Sequence, residues 1–137
     1  MEFKFYGHLP NEAKEIRYEV FCKEQGFINE FDEKDEVATH LVAFENGTPI
    51  ATCRIFKAEK ESYFIGRVAV VKNLRGKNLG ARILEEAEHY IRNQGGKEIL
   101  ISAQTRVEEF YKKQGFAPLG EVYFDEDCPH IQMIKTL

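Results

Sequence analysis

Asn46-Gly47, lying between Leu41-Val42-Ala43-Phe44 and the run Ile50 to Phe56, fixes the middle of this chain as an antiparallel hairpin. A tight two-residue hairpin turn needs positive φ at both central residues, and Asn-Gly adopts it at little steric cost. Ile50 to Phe56 alternates and is rich in strand formers, the pattern of a half-buried strand. A second turn near Glu59-Lys60-Glu61 leads into Tyr63 to Val71, so three antiparallel strands form a meander.

The flanks supply the rest of the architecture. Phe3 and Phe5 alternate with polar neighbours and read as a first strand. From Pro10 the period becomes helical: Ala13, Ile16, Val20 and Phe21 share one stripe, and Gly26 is the expected stop. After the meander, a glycine-bearing loop from Asn73 to Gly80 opens a helix with the stripe Leu79, Ile83, Leu84, Ala87, Tyr90 and Ile91, ended by Gly95-Gly96. Ile99-Leu100-Ile101 is apolar throughout, as a strand buried on both faces is. A helix over roughly 106–114 presents Val107, Phe110 and Tyr111, carries Lys112 and Lys113 at its negative end, and stops at Gly115. Strands near 116–124 and 131–135 finish the chain. The order β-α-β-β-β-α-β-α-β-β predicts an α/β (α+β) fold: a mixed, mostly antiparallel central sheet with helices on both faces.

With 137 residues, the chain is expected to form one domain over 1–137. No apolar run approaches the ~18 residues of a membrane span. Met1-Glu2-Phe3-Lys4 lacks the basic and apolar regions of a signal peptide. Cys22, Cys53 and Cys128 are odd in number and form no C-x-x-C pair, which points to a reducing compartment, the cytoplasm. A formal charge of −4 argues against nucleic acid as a partner. Acid is concentrated where Glu30, Asp32, Glu33, Asp35 and Glu36 surround Lys34. That stretch is either a solvated loop or a negative rim that draws in a cationic ligand.

The segment from Val68 to Arg82 carries the most chemistry. A buried strand runs into a short loop with Gly76 and Gly80, and the loop opens a helix. Free N–H groups and the helix dipole then converge on an anion site suited to phosphates, with Arg75, Lys77 and Arg82 adding positive charge. No Gly-Lys-Ser/Thr follows, so this is not a P-loop, and the three-glycine dinucleotide fingerprint is missing as well.

Arg75 to Gly80 resembles the R-x-x-G-x-G/A signature of the GNAT superfamily of N-acetyltransferases, with Asn78 in place of the middle glycine. Asn is the non-glycine residue that best tolerates positive φ, so the turn is expected to survive. Phe110-Tyr111-Lys112-Lys113-Gln114-Gly115-Phe116 resembles the family's F-Y-x-x-x-G-F segment, and the element order matches over essentially the whole chain. Arg17-x-Glu19-Val20-Phe21-x-x-Glu24-Gln25 and His130-x-x-Met133 are similar to a bacterial branch of the family.

The resemblance implies acetyl-CoA as cosubstrate and direct acyl transfer to a primary amine of a small molecule or peptide. Pantetheine would pair with the strand at Val68, Ala69 and Val70. The pyrophosphate would lie on Arg75, Gly76, Lys77, Asn78, Leu79, Gly80 and Ala81. The Val70 N–H would face the developing oxyanion, and Tyr111 would protonate the leaving thiolate. Tyr63 to Val71 contains no acidic base, which leaves Glu24, His40 and His130, with His40 leading because it follows the acidic stretch. Cys128 with His130 is too sparse for a metal, and no metal is expected. A homodimer is as compatible with the sequence as a monomer. A second function class, a non-catalytic acyl-CoA sensor or interaction module, would keep the phosphate loop without using Tyr111.

Overall fold

The computed structural model describes residues 1–137. Its strands are β1 (Glu2–Tyr6), β2 (Thr39–Glu45), β3 (Thr48–Lys57), β4 (Ser62–Val70), β5 (Glu98–Gln104), β6 (Ala117–Asp125) and β7 (Cys128–Thr136). They form one sheet in the order β1-β2-β3-β4-β5-β7-β6. Every neighbouring pair is antiparallel except β4 with β5. The helices are α1 (Asn11–Arg17), α2 (Lys34–Val37), α3 (Leu79–Asn93) and α4 (Glu108–Lys113). The mixed, mostly antiparallel sheet with helices on both faces is the expected fold class.

The stripes explain which face each helix covers. Leu79, Ile83, Leu84, Ala87 and Ile91 of α3 are buried in one core with Leu41, Cys53, Ile55, Ile65 and Ile101 of the sheet. On the opposite face, Ala13 of α1 packs with Val42 and Phe44, while Ile16, Val20 and Phe21 pack on Ala69. The Asn46-Gly47 turn forms as expected, with φ of 51° and 81°. Tyr90 is only half-buried and stacks on Phe5 at 5.1 Å.

The first helix differs from expectation in its second half. Tyr18–Glu24 is a π-helix, marked by the Gln25 N–H bonding the carbonyl five residues back, on Val20, at 3.2 Å. Such wide turns recur at functional sites, and this one places Val20 and Phe21 at the mouth of a cleft. Gly26, at φ 79°, ends the segment where the sequence indicates.

The acidic stretch overturns the reading of a negative rim. Glu30 and Asp35 are buried, and both hold arginines. Arg17 Nε donates to Glu30 at 2.8 Å and its Nη1 to Asp35 at 2.7 Å. Arg54 Nη1 donates to Asp32 at 2.6 Å and to Asp35 at 3.0 Å. Arg67 Nε lies 3.1 Å from the Glu30 carboxylate. Arg17, Arg54 and Arg67 therefore balance Glu30, Asp32 and Asp35 charge for charge, and only Glu33 and Glu36 stay exposed and unpaired.

The same cluster removes His40 from the chemistry. His40 is buried on β2 and donates from Nε2 to the Asp35 carbonyl at 2.9 Å. Burial lowers its pKa and keeps the ring neutral. Strand β3 separates it from the edge of β4 where the cleft lies.

Burial alone would raise the Asp35 pKa, yet the hydrogen bonds and charge of Arg17 and Arg54 lower it from 3.8 to about 2. Its contribution is therefore complete above its unfolded value and lost as pH falls through the folded one. Asp35→Asn is expected to cost on the order of 2 kcal/mol at neutral pH. Urea titrations should show the gap from the parent closing as pH drops from about 4 to about 2; a pH-independent gap would mean that the charge of Asp35 is not what stabilises.

Candidate active site

Strands β4 and β5 pair from Ser62↔Glu98 to Ile65↔Ile101 and then part. On β4 the parting coincides with a bulge: Arg67 and Val68 stand between the pairs Arg54↔Gly66 and Thr52↔Ala69, and Arg67 takes φ 53°. Strand β5 continues beside β7 through Gln104↔His130. A cleft of about 680 Å³ fills the gap.

The open edge of β4 has a definite polarity. Val71 donates its N–H to Ile50 on the β3 side at 3.0 Å. Because N–H groups alternate along a strand, the Val70 N–H points the other way, into the gap. The Val70 carbonyl, on the same open edge, accepts from Arg75 Nε at 3.0 Å.

Along the cleft, the loop after β4 turns through Gly76 at φ 84° and Asn78 at φ 65° to start α3. Asn78 thus adopts the left-handed conformation required where the family signature has glycine. The first helical hydrogen bond is Arg82 N–H to Asn78 carbonyl at 3.2 Å, and the N–H groups from Gly76 through Ala81 have no acceptor in the protein. Consecutive free N–H groups at a helix start form an anion site. A Cβ at Gly80 would come 3.1 Å from Phe110, so this glycine lets α4 approach the loop closely.

Arg75 serves the site differently from a phosphate clamp. Its two Nη groups bind Glu24 at 2.5 and 2.8 Å, bracing the loop against the first helix. The same pair takes Glu24 out of consideration as a base: the Arg75 hydrogen bond lowers its pKa and occupies both carboxylate oxygens. The exposed Lys77 remains free of ion pairs.

Tyr111 lines the cleft from α4. Its ring packs edge-on against Phe110 and Phe116 at 5.0 and 5.9 Å. The hydroxyl makes no hydrogen bond, yet it is not among the buried side-chain polar atoms left without a partner, of which Arg54 Nε is the only one. It therefore keeps a small solvent-accessible surface, in a residue that lines the cleft. Burial raises its pKa, so the phenol stays protonated at any physiological pH.

Several contributors escape sequence reasoning. Glu126, at the tip of the β6–β7 hairpin, accepts hydrogen bonds from Ile28 and Asn29 N–H at 2.9 and 3.0 Å. Gln104 donates to Gln25 at 2.8 Å. Together they tie the segment after the first helix across the cleft. His130, a base candidate already read from the sequence, lines the cleft from β7, while Tyr123 beside it, which sequence reasoning missed, is hydrogen-bonded to Ser102. A signal existed for the arginine cluster alone: Arg17 sits at position i+4 of the stripe begun by Ala13, where an apolar residue belongs.

Comparison with known proteins agrees with this geometry. Residues 9–137 match the family model described as an acetyltransferase (GNAT) domain. YjcF, an uncharacterized N-acetyltransferase of Bacillus subtilis, is 33% identical over 124 residues, covering 88% of this chain and 87% of its own. Protein ElaA of Escherichia coli is 30% identical over 129 residues, covering 90% and 84%. The ElaA crystal structure superposes with a TM-score of 0.88 over 98% of both chains, at 27% identity. An acyl-CoA N-acyltransferase from Pseudomonas aeruginosa gives 0.87 over 98% of this chain and 99% of its own, at 28% identity. The chain belongs to the GNAT acetyltransferase family, enzymes whose cosubstrate is acetyl-CoA.

Proposed function

We propose that residues 1–137 act as one catalytic domain that moves acetyl directly from acetyl-CoA to a primary amine of a small molecule or peptide. One observation carries the reading: Gly76, Asn78, Leu79 and Gly80, whose N–H groups have no acceptor in the protein, line the same cleft as Val68, Ala69 and Val70 of β4 and Tyr111. Pyrophosphate would lie on those N–H groups, with Lys77 as the nearby cation. Pantetheine amides would replace the missing β5 partner along Val68, Ala69 and Val70. The three unpaired cysteines, with Cys53 pushed up to about 12 by burial, suit the cytoplasm.

The chemistry follows from the polarity of the edge. The thioester carbonyl oxygen gains charge as the amine attacks, and the Val70 N–H is aimed at the gap where it would stabilise that charge. When the C–S bond breaks, its electron pair goes to sulfur, and Tyr111 donates a proton to the thiolate. A phenol whose pKa is raised by burial gives up that proton readily only if it is replaced. The ammonium-like nitrogen of the tetrahedral adduct supplies the replacement, so no free phenolate need form. The acceptor is not selected by the acidic stretch, whose buried carboxylates already hold arginines.

Thiol release from acetyl-CoA, followed across polyamines, amino acids and lysine-containing peptides, tests the activity; no release above the hydrolytic background with any amine would refute it. Gly80→Glu places bulk and negative charge at the helix start and should weaken acetyl-CoA at least tenfold, about 1.4 kcal/mol by calorimetry. Gly80→Ala separates the Phe110 contact from the charge and should bind within a few-fold of the parent, as should Asn78→Gly. Unchanged affinity in a folded Gly80→Glu chain would dismiss the phosphate loop. Tyr111→Phe keeps the ring packing and should lower turnover by about 10- to 10²-fold with cofactor affinity intact. Equal turnover would leave Tyr111 a packing residue.

A further inference from the structure

Acetyl transfer needs an uncharged amine, and two of the three base candidates offered by the sequence are otherwise engaged: Glu24 is clamped by Arg75 and His40 is buried behind β3. We propose that His130 removes the proton from the acceptor amine. The inference rests on the reading of the cleft as an acetyl-transfer site and adds the group that activates the acceptor.

Four histidines occur in the chain, and only His130 lines the cleft. It sits on β7 opposite Gln104 of β5 and Tyr123 of β6, at the last β5–β7 pair. Its Nδ1 lies 2.8 Å from the Cys128 carbonyl. A carbonyl only accepts, so Nδ1 carries the hydrogen and Nε2 holds the lone pair. Nε2 makes no hydrogen bond, and it is not sealed from solvent either. The rest of the ring is fixed. Tyr123 stacks on it at 5.9 Å, Phe27 meets it edge-on at 6.4 Å, and the residue is 7% exposed. Tyr123 is itself anchored by its hydrogen bond to Ser102. An imidazole held at Nδ1 and immobilised, with Nε2 bare in a residue that lines the cleft, is arranged to accept a proton there.

The other ionisable groups lining this part of the cleft are Asp125 on β6, Glu30 after the first helix, Arg67 on β4, Arg106 after β5 and Tyr111 on α4, with Tyr123 of β6 stacked on the ring. Glu30 and Arg67 face each other at 3.1 Å and largely cancel. Asp125 and Arg106 make no ion pair, and they put one charge of each sign on this wall of the cleft. The proton balance closes. An ammonium acceptor loses one proton to His130 Nε2, which later returns it to water. The freed lone pair forms the C–N bond, and the C–S bond breaks toward sulfur. The second proton lost from nitrogen replaces the one Tyr111 gives to the thiolate.

Two measurements on the full chain decide the matter. In His130→Gln, turnover with the best amine of the panel should fall about 10²-fold at neutral pH. Acetyl-CoA affinity and melting temperature should stay near the parent's. The deficit should shrink as pH rises toward the amine's own pKa, where the acceptor sheds its proton unaided. Hydroxylamine, uncharged at neutral pH, should be acetylated nearly as fast by the variant as by the parent. Equal losses for amine and hydroxylamine, or no loss for either, would overturn the assignment, because a merely structural role does not distinguish the nucleophiles. Independently of any acceptor, 15N spectra of the labelled imidazole should show the Nδ1–H tautomer with Nε2 bare, and the opposite tautomer refutes the proposal. A parent chain that binds no acetyl-CoA would instead bring down the acetyl-transfer reading beneath it.

Discussion

Three arginines from three separate elements meet three carboxylates from the short stretch 30–35, and the course of the chain around the cleft depends on that meeting. Arg17 comes from α1, Arg54 from β3 and Arg67 from the bulge of β4. Moving six such charges out of water is unfavourable, and it is tolerated only because each finds an opposite partner and directional hydrogen bonds. The match is nearly complete, with Arg54 Nε the one buried side-chain polar atom left unsatisfied. Because Glu30, Asp32 and Asp35 must all reach this point, the segment leaving the first helix is drawn over the sheet. That path makes it one wall of the cleft. The same ion pairs hold Arg67 where β4 departs from β5, so stability and site geometry have a common origin.

Most of the cofactor side of the site is backbone. The bulge and the split free the edge of β4, and the tight loop frees the N–H groups at the start of α3. Side chains act mainly by setting that backbone: Arg75 by gripping Glu24 and the Val70 carbonyl, Gly80 by letting Phe110 close in, Asn78 by accepting a left-handed turn. The chemistry is left to a few groups whose polar ends are bare. A site built this way tolerates wide sequence change, in keeping with relatives about 30% identical that share the fold.

That division also explains which parts could be read from the sequence. Turns are local, so Asn46-Gly47, Gly76 and Asn78 announced their own conformations, and the helical stripes announced the faces they bury. The acidic stretch misled because its partners are remote in sequence: Arg17 lies 13 residues before Glu30, and Arg67 lies 37 after it. Local composition saw five acids and one lysine, whereas the fold supplies the compensating charge from elsewhere. The histidines show the same limit. His40 and His130 both lie in strands, and what separates them is which strand borders the split. That is a property of sheet order, which no spacing encodes.

The tip of the β6–β7 hairpin brings together two demands that the rest of the fold keeps apart. Glu126 and Asp127 adopt φ of 48° and 65°, the conformation that Asn46-Gly47 takes so easily elsewhere in this chain. Left-handed backbone at a non-glycine residue costs roughly 1–2 kcal/mol, so the turn is intrinsically a poor one. Its acidic side chain is what ties the hairpin to Ile28 and Asn29. Installing Asn-Gly here would give the better turn and cut the tether at one stroke. A better turn and an intact tether to the segment beside the cleft therefore exclude each other at this one dipeptide.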